Sequence, residues 1–313
     1  MRRRSLLKSA AAITAGVGLA PGSHSLNTAG LAASVSQRSP TRRFIEAADG
    51  TCLFFRDWGL GRPVVFVAPW ALHSAWWEYQ MADLAGRGIR SIGYDRRGHG
   101  RSDEPSDGYD FDTLADDLAS LFEQLDLQDA VLVGQSMGCG EVVRYLSRHG
   151  TGRVARIVLV ATITPFVLKT EDNPDGVDRA SLEAVRTVLS RNRHDAISAA
   201  APAFFGAPRN HVSQHVMDWW VRMMVDGCSL KTMLDLQRMF TATDFRPELR
   251  KITLPTLLIH GDLDTSTPLE TTAKKTAPLM ANSELKVYQG AAHGLPITHA
   301  DRLNGELLAV AKS

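Results

Sequence analysis

The stretch VGQSMG, residues 133–138, closes an apolar run and opens an amphipathic one. Ala130, Val131, Leu132 and Val133 lead into it, a short continuous apolar stretch of the kind that a strand buried on both faces carries. Helical spacing takes over in GEVVRYLSRHG, residues 140–150. Ser136 therefore stands in a turn that passes from strand to helix within one or two residues. Such a turn strains the backbone at its centre and crowds the positions two residues to either side, where Gly134 and Gly138 stand. The strain holds the Ser side chain up at the carboxyl edge of a sheet. There the backbone N–H of Met137 and the helix N-terminus are placed to stabilise an oxyanion.

Outward from this turn the same alternation recurs. RRFIEAADGTCLFFRDWG (42–59) reads as a hairpin turning at Asp49-Gly50. PVVFVAP (63–69) is a buried strand, AWWEYQMADLAGRG (75–88) a helix ending at Gly, and IRSIGYD (89–95) the next strand. Leu114, Leu118, Leu121 and Leu125 recur at helical spacing, and RVARIVLVA (153–161) is again a strand. Strands alternating with helices predict a parallel sheet covered on both faces. From 162 to 245 no strand-like run occurs; VMDWWVRMMVDG (216–227) and LKTMLDLQRMF (230–240) are apolar helical stretches. Strands resume with PTLLIHGD (255–262), followed by helix LETTAKKTA, strand ELKVYQG and a last helix from about His299 to Ala311. The expectation is an α/β core at 41–161 and 246–313, with a helical cap at 162–245 inserted into it.

A Ser hydroxyl is a poor nucleophile until a base takes its proton, and the base needs an orienting acid. With a Ser on a strand-to-helix turn, the chain order is Ser, acid, His. LLIHGDLDTSTP (257–268) supplies Asp262 and Asp264 just past a late strand, and VYQGAAHGLP (287–296) supplies His293 past the last one. The turn after Gly261 must advance a residue or two before a side chain reaches back towards His293. That favours Asp264 as the acid and leaves Asp262 to cap the turn. His299 is the rival base, placed to start the last helix, and His99 reads as structural.

Composition narrows the partners. A net charge of +1 over 313 residues gives no electrostatic case for nucleic acid or an acidic polymer. The three cysteines, Cys52, Cys139 and Cys228, form no CxxC or Cys/His cluster and point to neither a metal site nor a disulfide framework. At the N-terminus, Arg3-Arg4-Ser5-Leu6-Leu7-Lys8 resembles a twin-arginine export signal. The apolar stretch from Ser9 to Ala20 is too short to span a membrane. Residues 1–40 are expected to be signal and linker, cut between Ala20 and Ala33. The export machinery would be the precursor's partner, and the mature protein would be periplasmic or secreted without stable membrane insertion.

YDRRGHGRSD (94–103), VGQSMGCGEVVRYLSRHG (133–150), PTLLIHGDLDTSTPLE (255–270) and VYQGAAHGLPITHADRLNGELLAVAK (287–312) together resemble the α/β-hydrolase superfamily. The branch most similar is the non-haem haloperoxidase (perhydrolase) and arylesterase group. The resemblance implies the α/β-hydrolase fold: a mostly parallel eight-stranded sheet with helices on both faces, a helical lid, and no metal, haem or other cofactor. It also implies ester hydrolysis, with perhydrolysis as a side activity in which peroxide intercepts the acyl-enzyme. Most relatives carry His-Gly-Trp after the third strand; here Ala68-Pro69-Trp70 stands there, and the resemblance gives the Trp70 backbone N–H the second oxyanion-hole position. Pro69 has no N–H and fixes the approach. Relatives often have His before the nucleophile; here it is Gln135. Haloalkane dehalogenases and epoxide hydrolases of this fold use Asp where Ser136 stands, so Ser136 points to acyl transfer.

The cap sequence bears on the substrate. Met217, Trp219, Trp220, Met223 and Met224, with Trp76 and Trp77, are at helical spacing more often core than pocket. Any that line a pocket would favour an apolar or aromatic substrate. The expected partner is a small-molecule ester or lactone, cleaved by Ser136, Asp264 and His293 with Trp70 and Met137 as oxyanion donors. A lactonase or perhydrolase is the alternative chemistry. A ligand-binding protein on a hydrolase fold is the alternative of another class.

Overall fold

The apolar runs become strands because most of their residues are buried, and those of β5 and β7 are buried throughout. A computed structural model describes residues 43–207 and 209–313; the signal and linker expected over 1–40 lie outside the described residues. The hairpin is β1 (Phe44–Glu46) and β2 (Cys52–Trp58), paired antiparallel. Then come β3 (Pro63–Val67), α1 (Glu78–Gly86), β4 (Arg90–Tyr94), α2 (Phe111–Gln124), β5 (Ala130–Gln135), α3 (Met137–His149) and β6 (Val154–Val160). Helices α4 (Arg179–Phe205), α5 (Gln214–Gly227), α6 (Leu230–Ala242) and α7 (Arg246–Leu249) follow. The chain closes with β7 (Thr256–Gly261), α8 (Ala273–Thr276), β8 (Ser283–Tyr288), α9 (Leu295–Thr298) and α10 (Ala300–Lys312).

The strands form one eight-stranded sheet in the order β1-β2-β4-β3-β5-β6-β7-β8. β2 runs antiparallel to β4, and all pairs from β4 through β8 are parallel. Along β3, Val65 and Val67 join the core on the α2–α3 side, while Val64 and Phe66 join the core on the α1–α10 side. This two-sided burial is why the sequence shows a continuous apolar run rather than alternation. Each fully buried Val, Leu or Phe contributes about 1.5–3 kcal/mol of transfer free energy. The α1–α10 core continues into the helices after β6 through Leu189, Phe204, Trp220 and Met233.

Apolar spacing in the sequence marks α5 and α6; the structure adds α4, the longest helix at 27 residues. Its apolar residues are interspersed with Ala, Ser and Arg, so it shows no clean stripe. It is two helical segments broken at Asn192, whose side chain accepts the Asp195 N–H (3.1 Å) and so caps the second segment. The helix expected over 269–277 contracts to α8 and a short 3₁₀ turn.

Candidate active site

Ser136 is the single residue between β5 and α3, with φ 54° and ψ −119°. A side chain other than Gly rarely adopts that backbone, and the surrounding contacts enforce it. The Ser136 N–H donates to the Val160 carbonyl (3.0 Å), and the Cys139 N–H donates to the Ser136 carbonyl (3.0 Å). A Cβ on Gly134 would meet the Gly138 carbonyl oxygen at 2.7 Å, and one on Gly138 would meet the Val67 oxygen at 2.6 Å. Both glycines are therefore demanded by close approach of backbone, as the sequence pattern predicts. Met137 opens α3, so its N–H has no partner a turn earlier in the helix. Cys139 lies beneath the turn, where burial pushes its thiol up to about 12.

The structure separates the two candidate acids. Asp262 turns away and accepts the Gly290 N–H (2.6 Å), tying the end of β7 to the end of β8. Asp264 is buried; its Oδ1 accepts the N–H groups of Ser266 and Thr267 (both 2.9 Å), and its Oδ2 lies 2.7 Å from His293 Nδ1. An ionised carboxylate only accepts, so the network assigns the proton to Nδ1 and leaves Nε2 as an acceptor. Burial raises the Asp264 carboxyl, but the neighbouring His293 ring and its hydrogen bond outweigh that and hold it below 3.8. Thr267 supports the pair: its hydroxyl lies 3.0 Å from Asp264 Oδ2 and 3.2 Å from His293 Nδ1. Below them His260 donates from Nε2 to the Thr267 carbonyl (2.7 Å), its ring kept neutral by burial.

His293 is clamped by its neighbours. Its carbonyl accepts the side-chain amide N–H of Gln135 (2.9 Å), and Gln135 Oε1 accepts the Trp76 indole N–H (2.6 Å). The Phe204 ring meets the imidazole edge-on at 5.2 Å, and the Phe204 carbonyl accepts the Gly294 N–H (2.7 Å). The rival His299 bonds to the Thr298 hydroxyl instead. His99 donates to the Arg97 carbonyl (2.9 Å) and is buried in a structural loop.

On the opposite side, the chain leaving β3 turns at Pro69–Leu72, with Ala71 at φ 58° and the Leu72 N–H bonded to the Pro69 carbonyl. The Trp70 indole donates to the Met233 carbonyl on α6 (2.9 Å). Arg96 reaches the Ala68 carbonyl with Nη2 (2.8 Å) while its Nε pairs with buried Glu141 (2.7 Å). Gln135, Thr267, His260 and Arg96 lie beside the motif residues in sequence, but spacing alone assigns them no partner.

Ser136, His293 and Trp70 line one cavity of about 710 Å³. Its walls come mainly from α4, α5 and α6, through Leu189, Ile197, Trp220, Met224 and Phe240. Of the apolar residues singled out in the sequence, Trp220 and Met224 line it. Met217, Met223, Trp76 and Trp77 are buried in the core instead. No Asp, Glu, Lys or Arg lines it among the described residues. No cluster of His, Cys, Asp and Glu suited to a metal occurs among them either.

A strained Ser between strand and helix, facing a cavity shared with an Asp-bound His, on this strand order, defines an α/β hydrolase. The alpha/beta hydrolase fold family matches residues 62–300, and the chain belongs to it. It falls with the non-haem haloperoxidase and esterase/perhydrolase group. It is 42% identical over 265 residues to a non-heme chloroperoxidase of Kitasatospora aureofaciens, spanning 83% of this chain and 96% of that one. It is 39% identical over 278 residues to a bifunctional esterase/perhydrolase of Acinetobacter calcoaceticus, spanning 86% and 99%. The crystal structure of a bromoperoxidase from Bacillus anthracis superposes with a TM-score of 0.82 at 38% identity, covering 86% of this chain and 99% of that one. These relatives support a hydrolase acting on esters.

Proposed function

We propose that the protein is a serine hydrolase that cleaves a small, fairly apolar carboxylic ester through an acyl-enzyme. The observation that carries this reading is the placement of Ser136 on the same cavity as His293, whose Nδ1 lies 2.7 Å from Asp264. His293 Nε2 takes the Ser136 proton as Oγ attacks the ester carbonyl. The backbone N–H groups of Met137 and Trp70 hold the oxyanion, each such donor being worth about 10²–10³ in turnover. His293 returns the proton to the departing alcohol, takes one from the water that attacks the acyl-enzyme, and gives it to Ser136 Oγ as the acid leaves. Asp264 fixes the ring tautomer and stabilises the imidazolium. Hydrogen peroxide in place of water would give the peracid; the similarity to an esterase/perhydrolase favours this as the second reading.

Ser136→Ala should abolish turnover of nitrophenyl acetate while leaving the fold intact, and a fluorophosphonate should label Ser136. Labelling at another residue, or turnover unchanged in the variant, overturns the assignment. An inactive wild-type protein that still binds esters would instead point to a ligand-binding role. We also propose that Arg3 and Arg4 direct twin-arginine export to the periplasm or beyond. Changing both to Lys should strand the precursor in the cytoplasm, and normal processing of that variant refutes the signal.

A further inference from the structure

The α6 side of the cavity carries a buried amide that the proposed chemistry does not use. Gln237, on α6, is 4% exposed and lines the cavity. Its Oε1 accepts a hydrogen bond from Arg186 Nη1 on α4. Arg186 is itself buried and held by Glu183 through Nε (3.0 Å) and Nη2 (2.5 Å). A guanidinium offers donors only, so the amide oxygen must face it and the amide nitrogen must face the other way. The two N–H groups of that nitrogen have no protein partner among the described residues. The other polar side chains nearby are spent or shut away. The Thr241 hydroxyl donates to the Gln237 backbone carbonyl (2.7 Å), the Trp70 indole donates to the Met233 backbone carbonyl, and the Trp220 indole nitrogen is buried. Of the remaining polar lining, Ser136, Thr267 and His293 belong to the proposed chemistry, and Ser266, whose backbone N–H holds Asp264, lies beside them after β7.

We propose that Gln237 is a specificity-determining residue whose amide N–H donates to a second oxygen of the substrate, remote from the scissile carbonyl. The substrate class is then an ester or lactone with an apolar frame that carries one further hydrogen-bond acceptor, a ketone, ether or second carbonyl. This rests on the hydrolase reading above for the nature of the scissile bond. Gln237 lies four residues beyond Met233, whose carbonyl holds the Trp70 indole, a rise of about 6 Å along α6. The proposed oxyanion donors stand on other elements, at the start of α3 and in the turn after β3, so the acceptor assigned to Gln237 is a second oxygen. An N–H left unpaired in an apolar cavity is costly, and a substrate oxygen at that point removes the cost. A substrate with a methylene there does not, so Gln237 discriminates between the two.

The test compares matched pairs: nitrophenyl octanoate against its keto derivatives, and octyl acetate against keto-octyl acetates, with the keto group moved along the chain. Wild-type protein should prefer at least one keto ester over its plain counterpart by about ten-fold in kcat/KM. Gln237→Met, which keeps the shape and loses the donor, should abolish that preference. Gln237→Glu keeps an acceptor for Arg186 and also loses the donor, so it should do the same even if the Met variant folds poorly. Calorimetric binding of the corresponding non-hydrolysable methyl ethers reads the preference without turnover. Turnover of nitrophenyl acetate by the wild-type protein reports the nucleophile separately. Its absence together with a keto preference in binding overturns the hydrolase reading and leaves the Gln237 role standing. Equal treatment of keto and plain compounds by the wild type, or a preference unchanged in both variants, overturns the Gln237 role.

Discussion

The side-chain amide of Gln135 donates to the backbone carbonyl of His293 across 158 residues of chain, at 2.9 Å. The last residue of β5 thus fixes the loop that carries the proposed base, while the next residue is the proposed nucleophile. Trp76 completes the link by donating to the other end of the amide (2.6 Å), so the amide cannot rotate without breaking both bonds. Gln135→Met removes both partners and leaves a buried indole N–H and a buried carbonyl unpaired. We expect stability to fall by about 2–4 kcal/mol and kcat by about ten-fold, with KM little changed. Urea unfolding and steady-state kinetics on nitrophenyl acetate measure both. Wild-type kcat in a destabilised variant would reduce Gln135 to a packing role.

The two acids after β7 should separate cleanly. Asp264→Asn keeps its size but no longer selects the Nδ1–H tautomer, and turnover should fall by about 10⁴-fold with only a small change in melting temperature. Asp262→Asn weakens the bond to the Gly290 N–H. It should lower stability by about 1 kcal/mol and retain most of the rate. Exchanged phenotypes would move the acid role to Asp262.

Arg96 and Glu141 should couple stability to the oxyanion side of the site. Arg96→Met leaves the Glu141 carboxyl, which burial pushes well above 4.5, without its partner and frees the Ala68 carbonyl, and breaking such a buried pair costs about 3–5 kcal/mol. Replacing both, as Arg96→Met with Glu141→Leu, removes the unpartnered buried carboxyl and should recover most of the stability. Turnover should stay depressed in the double variant, because nothing then holds the Ala68 carbonyl ahead of Trp70. Thermal unfolding and kcat on the two variants read the two effects apart, and full recovery of rate would show that Arg96 acts on stability alone.

Acid should destabilise the fold through buried histidine. Burial, aided by the nearby Arg96 charge, pushes His99 down from 6.5 to about 3. Between those values the unfolded chain takes up a proton that the folded chain refuses. Stability is therefore undiminished above 6.5 and falls as pH is lowered, by about 2 kcal/mol from pH 6.5 to 5. His260 is shifted the same way by burial, whereas Asp264, held below 3.8, adds its loss only below that value. His99→Asn keeps a donor for the Arg97 carbonyl without the titration. Its unfolding free energy should drop less than that of the wild type between pH 7 and pH 5, and parallel slopes would show that His99 does not titrate in this way.

Much of this protein is legible in sequence because its strands are local. A run such as Val64–Val67 is apolar at every residue since both faces of a parallel sheet are covered, and no knowledge of distant partners is needed to see it. The turn at Ser136 is equally local: Gly134 and Gly138 are required by backbone atoms within four residues of one another and by β3 beside them. Chain order then puts the proposed acid at 262–264 and the proposed base at 293. What spacing leaves open is which of two acids two residues apart faces His293, since both follow the same strand and only the path of the turn after Gly261 decides. The Gln135–His293 bond, the choice of Trp220 and Met224 over Met217 and Met223 as cavity wall, and the helix α4 also come from tertiary packing. So does the orientation of the Gln237 amide, set by Arg186 from 51 residues away. Each of these depends on contacts between elements whose approach is fixed by side-chain volume and hydrogen-bond satisfaction across the whole fold, which no local pattern encodes.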